Sequence, residues 1–272
     1  MRVVVLGSRG MLGVALCHQL RQAGFDVLPM DRSSFDALSL DLTDLLPDGC
    51  DALINACGMI NRRLSESESA FLRVNSLFPR RLADLCEQRR IRMIQVSTDC
   101  VFKGDRGCYD ESAVPDPDEL YGMSKYWGEP SNAMVVRTSI IGPELVNHYS
   151  LLCWFLQQHE SVRGFANHQW NGITTLELGR VLGAILAGDL WQPGVRHIFG
   201  EDLTKCTLLH LIDDAFQAHK RIDAVNDRQP RDTRLRTVYP EFMQTLNIAP
   251  MAAQLDRVRL VADRLGHWTM AP

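Results

Sequence analysis

Tyr121 and Lys125 stand four residues apart in Tyr121-Gly-Met-Ser-Lys125, so a helix there carries a phenol and an ammonium on one face. A phenol with a pKa of about 10 keeps its proton at neutral pH. It can give that proton to an oxygen that is gaining negative charge. The neighbouring ammonium is expected to stabilise the phenolate and lower its pKa toward the working range. A shift of three units would need about 4 kcal/mol. This chemistry suits reduction of a carbonyl, where hydride reaches carbon and a proton must reach oxygen. The spacing alone also occurs on solvated helix faces. Ser97-Thr98-Asp99, directly after the segment 91–96, adds hydroxyls at the end of an expected strand. Thr98 there can hold a carbonyl beside Tyr121, with Asp99 on the substrate side. The plainer alternative is a strand-end turn closed by local hydrogen bonds.

A hydride donor needs its own cradle. Gly7-Ser8-Arg9-Gly10-Met11-Leu12-Gly13 lies between an expected strand and an expected helix. The spacing is a variant of the dinucleotide fingerprint, in which glycines allow a tight turn and close approach of backbone to a pyrophosphate. Asp31, at the end of the second expected strand, can accept from ribose hydroxyls, which favours NAD(H). Arg9 and Arg32 can pair with a 2′-phosphate and tilt the preference to NADP(H), or they are simply solvated. Asp41-Leu42 can border an adenine, although an exposed Asp before a helix can also be only a cap.

These groups require a scaffold of alternating strands and helices. Strands are expected at 3–6, 25–30, 52–56, 91–96 and 134–138, and helices at 11–23 and 70–89, with Pro79 bending or resetting the latter. Such alternation predicts an α/β fold, a Rossmann-type doubly wound parallel sheet with a smaller mixed C-terminal lobe. The expected division is 1–140 for the dinucleotide and 141–272 for the substrate, with about 173–200 able to return to the first unit. Beyond Gly142, helices are expected at 151–158, 176–187 and 208–219 and a strand at 196–199. The charged segment 223–240 shows no apolar periodicity.

The chain has 272 residues, 46% hydrophobic and 23% charged, with a net charge of −4. That balance argues against nucleic-acid and membrane partners. Eight cysteines are scattered with no C-x-x-C, and no histidine pair has metal-helix spacing. A reducing, cytoplasmic setting without a metal is therefore expected.

Taken together, Gly7-x-x-Gly10-x-x-Gly13, Asn55-Ala56-Cys57-Gly58, Val74-Asn75, Ser97-Thr-Asp-Cys-Val-Phe-Lys-Gly104, Tyr121-Gly-Met-Ser-Lys125 and Arg137-Thr-Ser139 resemble the extended short-chain dehydrogenases. Within them the chain is most similar to dTDP-4-dehydrorhamnose reductase-like sugar-nucleotide reductases. The resemblance covers residues 1–142 and thins afterwards. It implies Tyr121 as proton donor, Lys125 as its partner on the nicotinamide ribose, and Thr98 as the hydroxyl that orients the carbonyl. It also implies a pyrophosphate at Gly7, Gly10 and Gly13, with Met11 in that turn. Asn55, Ala56, Cys57 and Ser97 would line the cofactor, and 140–143 would pass near the nicotinamide. The implied substrate is a nucleotide-linked 4-keto-6-deoxy sugar.

Three departures qualify the resemblance. Cys100 replaces the family's usual tyrosine after Ser-Thr-Asp and is read as structural. The Glu of a dehydratase is absent. The helix after Lys125 is cut short by Pro130, which is at odds with the family's usual homodimer. In the later half, Asn167, Trp170 and Asn171 are candidates for sugar or base contacts, the alternative being a loop whose tryptophan plugs the core. Arg228, Arg231, Arg234 and Arg236 are candidates for a diphosphate or a solvated segment. An NAD-retaining epimerase and a non-enzymatic regulatory subunit are the rival functions.

Overall fold

Val3 to Leu6 are four apolar residues in a row, all fully buried, as a strand covered by helices on both faces requires. They belong to β1 (Arg2–Leu6) of a computed structural model that describes residues 1–42, 44–60, 67–144 and 149–265. The first half continues through α1 (Met11–Gln22), β2 (Asp26–Met30), β3 (Ala52–Asn55), α2 (Glu68–Leu72), α3 (Phe78–Gln88), β4 (Arg92–Val96), α4 (Leu120–Trp127) and β5 (Met134–Arg137). Next come β6 (Ile140–Ile141), α5 (Leu151–Gln157), β7 (Val162–Phe165), β8 (His168–Trp170), β9 (Ile173–Thr174), α6 (Thr175–Ala187) and β10 (Gly194–His197). The chain finishes with β11 (Leu203–Thr204), α7 (Lys205–Phe216), β12 (Ile222–Val225), β13 (Arg231–Asp232), α8 (Pro240–Leu246) and α9 (Met251–Leu265).

The main sheet is parallel throughout, in the order β10–β5–β4–β3–β1–β2. Strand order reverses at β1, so a crevice opens beyond the carboxyl ends of β1 and β3, where open α/β sheets receive ligands. One face of the sheet packs against α1 and α6 through Leu12, Leu16, Leu20, Leu178, Val181 and Leu182. The other face packs against α3 through Phe78, Leu82 and Cys86. Helix α6 is apolar nearly all round because it lies between α1 and the later helices. Residues 175–197 thus cover and extend the sheet begun by the first half.

The second lobe gathers α5, α7 and α9 around Leu152, Phe155, Trp170, Leu208, Ile212 and Leu255. Its strands are short: β7 pairs with β12, and β8 lies between β11 and β13. Segment 223–240, featureless by periodicity, supplies β13 and part of β12. Residues 68–88 stay helical throughout, with a π-helical turn, Arg73–Leu77, between α2 and α3 directly ahead of Pro79. Among the described residues no helix is long and apolar enough to cross a membrane.

Candidate active site

The glycine turn sits at the head of α1, directly after β1. Gly7 adopts φ +77° and Gly10 is the N-cap, with no side chain capping the helix and no acid in its first turn. A Cβ on Gly13 would lie 2.0 Å from the Gly7 carbonyl oxygen, so only hydrogen fits there. Uncapped amides at the start of a twelve-residue helix, in a crevice and without competing carboxylates, fit a dinucleotide pyrophosphate. Gly7 also packs against the backbone of Ala56 and Cys57, which brings the β3 loop beside the turn.

Asn55 holds that loop instead of facing a ligand. It is fully buried, donates to Gln95 Oε1 at 2.8 Å and accepts from the Cys57 amide at 3.1 Å. Its expected contact with a cofactor is therefore corrected to bracing Ala56 and Cys57. The Cys57 thiol is pushed up to about 12 by burial, so it is an inert lining group. Asp31 accepts from the Ser33 amide and hydroxyl at 2.9 and 2.6 Å, and Arg9 reaches its other oxygen at 3.8 Å. These bonds, led by the Ser33 hydroxyl, hold the Asp31 carboxyl below the usual carboxylate range. Arg9 is 76% exposed and open to a further partner. Arg32 stands close enough to act on Cys57. Asp41 is exposed, its amide bonded to Ser39 Oγ at 3.1 Å, and Leu42 packs on the outer core.

Thr98 and Asp99 follow β4 at the carboxyl edge. Thr98 Oγ1 accepts from the Cys100 amide at 3.2 Å and donates to Asp99 Oδ1 at 3.2 Å, closing a short 3-10 turn. Tyr121, on α4, lies beside Thr98, close enough for the hydroxyl to act on its phenol. Lys125 lies one turn further on, only 6% exposed, and its Nζ donates to the Val96 carbonyl at 2.7 Å. The structure thus brings together Thr98, Tyr121 and Lys125, the three residues singled out from spacing.

The electrostatics differ from expectation. Burial pushes the Tyr121 phenol up, reinforced by the Cys100 thiol and Asp99, and outweighs the opposing bond from Thr98. Lys125 is not among the groups that act on it; its Nζ donates to the Val96 carbonyl at the end of β4. Tyr121 therefore holds its proton firmly, as a donor should, instead of being poised to lose it. Lys125 itself is lowered to about 8 by burial, partly offset by Glu129.

That value carries a prediction with two signs. In the cofactor-free chain the Lys125 cation is present below about 8 and lost above it. Folding depresses this lysine from 10.5, so between those values the unfolded chain binds the extra proton. The residue's contribution to stability therefore rises with pH across that window. Activity, which needs the cation, falls across it. Thermal midpoints and kcat/KM measured from pH 7 to 9.5 check both, and kcat/KM that stays flat to pH 9.5 would contradict the assignment.

Residues not chosen from the sequence hold this constellation. Asn75, on the π-helical turn, donates to Met59 O and Ser124 Oγ at 3.0 Å each and accepts from the Met59 amide at 2.9 Å. It thereby fixes α4 against the β3 loop. Glu129 accepts from Ser97 Oγ at 2.6 Å and from Arg137 at 2.9 and 2.7 Å, in a fork that is almost wholly buried. Ser97 is thus committed to this support and is only 5% exposed. Cys100 opens onto the cleft yet has protein on its other sides, and burial together with Asp99 pushes its thiol up to about 12.

The substrate candidates of the second lobe are corrected. Trp170 is 3% exposed and plugs the lobe core, since β8 turns its ring inward. Asn171 is 2% exposed and spends its amide on Asp202, the Leu235 carbonyl and the Leu235 amide. Asn167 exchanges hydrogen bonds with the Asp227 backbone, 2.8 and 2.9 Å. Backbone of the segment 227–235 occupies Asn167 and Asn171, and Trp170 is held by apolar packing, its indole nitrogen buried with no hydrogen-bond partner. Arg234 and Arg236 share Asp202, and Arg234 also forks onto Asp232. Only Arg228 and Arg231 of the four remain on the open surface, with Arg231 3.9 Å from Glu119.

A parallel sheet with a glycine turn at its switch point and a Thr/Tyr/Lys set at its carboxyl edge defines the extended short-chain dehydrogenase class. Within it, the chain belongs to the RmlD substrate binding domain family, whose pattern matches residues 1–239. It is 32% identical over 203 residues to the dTDP-4-keto-6-deoxy-D-glucose reductase of Streptomyces niveus, covering 68% of each chain. It is also 32% identical over 150 residues to the dTDP-4-dehydrorhamnose reductase of Mycobacterium tuberculosis, spanning 51% of this chain and about half, 49%, of that enzyme. Its fold matches the NADP complex of Bacillus anthracis dTDP-4-dehydrorhamnose reductase with TM-score 0.82 at 20% identity, covering 96% of this chain and 99% of that one.

Proposed function

We propose that the protein reduces the keto group of a nucleotide-linked 4-keto-6-deoxy sugar, using NADP(H) in preference to NAD(H). The observation that carries this reading is the convergence of Thr98, Tyr121 and Lys125 beside the glycine turn at the carboxyl edge of the sheet. The names of its relatives, reductases of dTDP-linked keto sugars, point the same way. A reduced nicotinamide, when bound, supplies hydride to the carbonyl carbon. Tyr121 gives its proton to the carbonyl oxygen, and Thr98 holds that oxygen in place. Lys125, its Nζ fixed by the Val96 carbonyl, would hold the nicotinamide ribose beside them. Gly7, Gly10, Met11 and Gly13 receive the pyrophosphate, with Ala56 and Cys57 lining the opposite wall. Asp41 and Leu42 border the adenine.

The preference for NADP(H) rests on Asp31 and Arg9. The Asp31 carboxylate is already occupied by Ser33, while the exposed Arg9 guanidinium beside it suits a 2′-phosphate. The same proposal gives 1–140, with the returning segment 173–200, to the cofactor, and the rest of 141–272 to the substrate. A panel of nucleotide-linked keto sugars, followed by loss of reduced-nicotinamide absorbance, tests the reading. Stoichiometric oxidation with one member is expected, with kcat/KM at least about tenfold higher for NADPH than for NADH, a gap of about 1.4 kcal/mol. Conversion of a sugar without net cofactor oxidation would identify an epimerase instead.

A further inference from the structure

His197, the last residue of β10 at the edge of the main sheet, is a buried titratable group that the proposed reaction leaves unused. Its side chain is fully buried, with the Phe102 ring packed edge-on against it at 6.0 Å. Nδ1 stands 2.9 Å from the Arg236 carbonyl oxygen and 3.2 Å from the Tyr109 carbonyl oxygen. A carbonyl oxygen only accepts, so Nδ1 must carry a proton, and in the neutral ring Nε2 is then a bare lone pair. Among the described residues nothing bonds that buried Nε2.

Tyr109 and Arg236 belong to different lobes and are themselves paired. The segment 231–238 of the second lobe runs beside the loop 104–111. The Asp232 amide donates to Gly104 O at 2.8 Å, the Tyr109 amide to Arg234 O at 3.0 Å, and the Arg236 amide to Tyr109 O at 2.7 Å. Glu111 clamps the same junction. Its carboxylate accepts from the His197 amide at 2.9 Å, the Thr237 hydroxyl at 2.7 Å and the Val238 amide at 2.9 Å. On its other side the segment is held by Asn171, which exchanges hydrogen bonds with the Leu235 backbone. The loop continues to Glu119, the N-cap of α4, two residues before Tyr121. His197 thus joins β10, the approach to Tyr121 and the second lobe.

We propose that His197 is a pH-sensitive pin: while neutral it holds the segment 231–238 to the loop that leads into α4, and it releases that segment when Nε2 takes a proton. Protonation would place a second N–H in a buried position that offers it no acceptor. The charged groups around the ring are Glu111 and Asp110 from the loop and Arg137 from β5. The Arg236 guanidinium is turned onto Asp202. Burial is the largest influence, and with Arg137 it outweighs Glu111 and the two carbonyls, so the ring is held below its ordinary 6.5. Above 6.5 the pin is therefore at full strength. As pH falls below that value the opened form takes the proton first, and opening gains up to about tenfold per pH unit until the closed ring itself titrates.

The test needs no substrate and so stands apart from the reductase reading. In the full chain with ¹⁵N-labelled imidazoles, the His197 resonances are assigned by their loss in His197→Asn. They should show a neutral ring protonated at Nδ1 at pH 7. Hydrogen exchange in 104–111 and 231–238, corrected for intrinsic rates, should rise about fivefold or more from pH 7.5 to pH 5.5, with β1 and β3 unchanged. Asn at this position keeps an amide donor close to the place of Nδ1 but cannot titrate, so His197→Asn should lose that pH dependence. A ring protonated at Nε2 alone, or already cationic at pH 7, overturns the proposal. So does an equal acceleration in His197→Asn, which would assign the response to another group, or one shared by β1 and β3, which would mark global unfolding. Should His197→Asn fail to fold, His197→Gln, equally unable to titrate, takes its place in both arms.

Discussion

Tyr121→Phe is expected to lower kcat by about a thousandfold while leaving cofactor affinity within about twofold and the thermal midpoint nearly unchanged. The hydroxyl is the group at the sheet edge proposed to supply the carbonyl proton, and its raised pKa keeps that proton in place. It contributes little to the fold, since Thr98 retains the Asp99 carboxylate as a partner when the phenol is gone. Single-turnover absorbance, cofactor titration and calorimetry on the same preparation separate the three quantities. Turnover within tenfold of wild type would assign the proton to another donor.

Glu129→Gln should be the most damaging single change to stability. Its carboxylate and the Arg137 guanidinium are 6% and 4% exposed and meet through two bonds, with Ser97 as a third partner. Breaking a buried pair from one side leaves an uncompensated charge and costs about 3–5 kcal/mol. For a chain of this size the midpoint should fall by roughly 10 °C. The same change removes the negative charge that supports the Lys125 cation, so the basic limb of kcat/KM should move below about 8. Replacing both partners with Met should recover much of the lost stability without restoring the limb. A loss of less than about 1 kcal/mol would show that water reaches the pair.

The two halves of the chain were not equally legible. Strands β1, β3 and β5 could be read because each is a run of residues buried on both faces, and burial on both faces leaves an apolar signature. Strands β12 and β13 left no such mark: β12 is only partly buried with Asp223 among its apolar residues, and β13 is just Arg231 and Asp232. Helices α8 and α9 lie in a stretch where no element was assigned, and the charged side chains of α9 mask its buried stripe of Met251, Leu255 and Val258.

In the site, the order of glycine turn, hydroxyl and Tyr/Lys pair was enough to place Thr98, Tyr121 and Lys125. Spacing could not show that the long stem of Lys125 reaches across to Val96, nor that burial would dominate the Tyr121 phenol. A loop containing Asn, Trp and Asn looks the same whether it binds a sugar or closes a core, because the partners of Asn171 lie more than sixty positions away at Leu235.

The return of 175–197 to the main sheet bears on how such a protein can be rebuilt. Strand β10 covers the edge of β5, and α6 shields the sheet beside α1. A fragment ending near residue 140 would therefore present a bare strand edge and an uncovered apolar face, an invitation to aggregate. Exchange of substrate preference with a relative would have to proceed as an interleaved graft, two separate stretches replaced around a retained middle. Such grafting keeps the nucleotide half whole while its passenger changes.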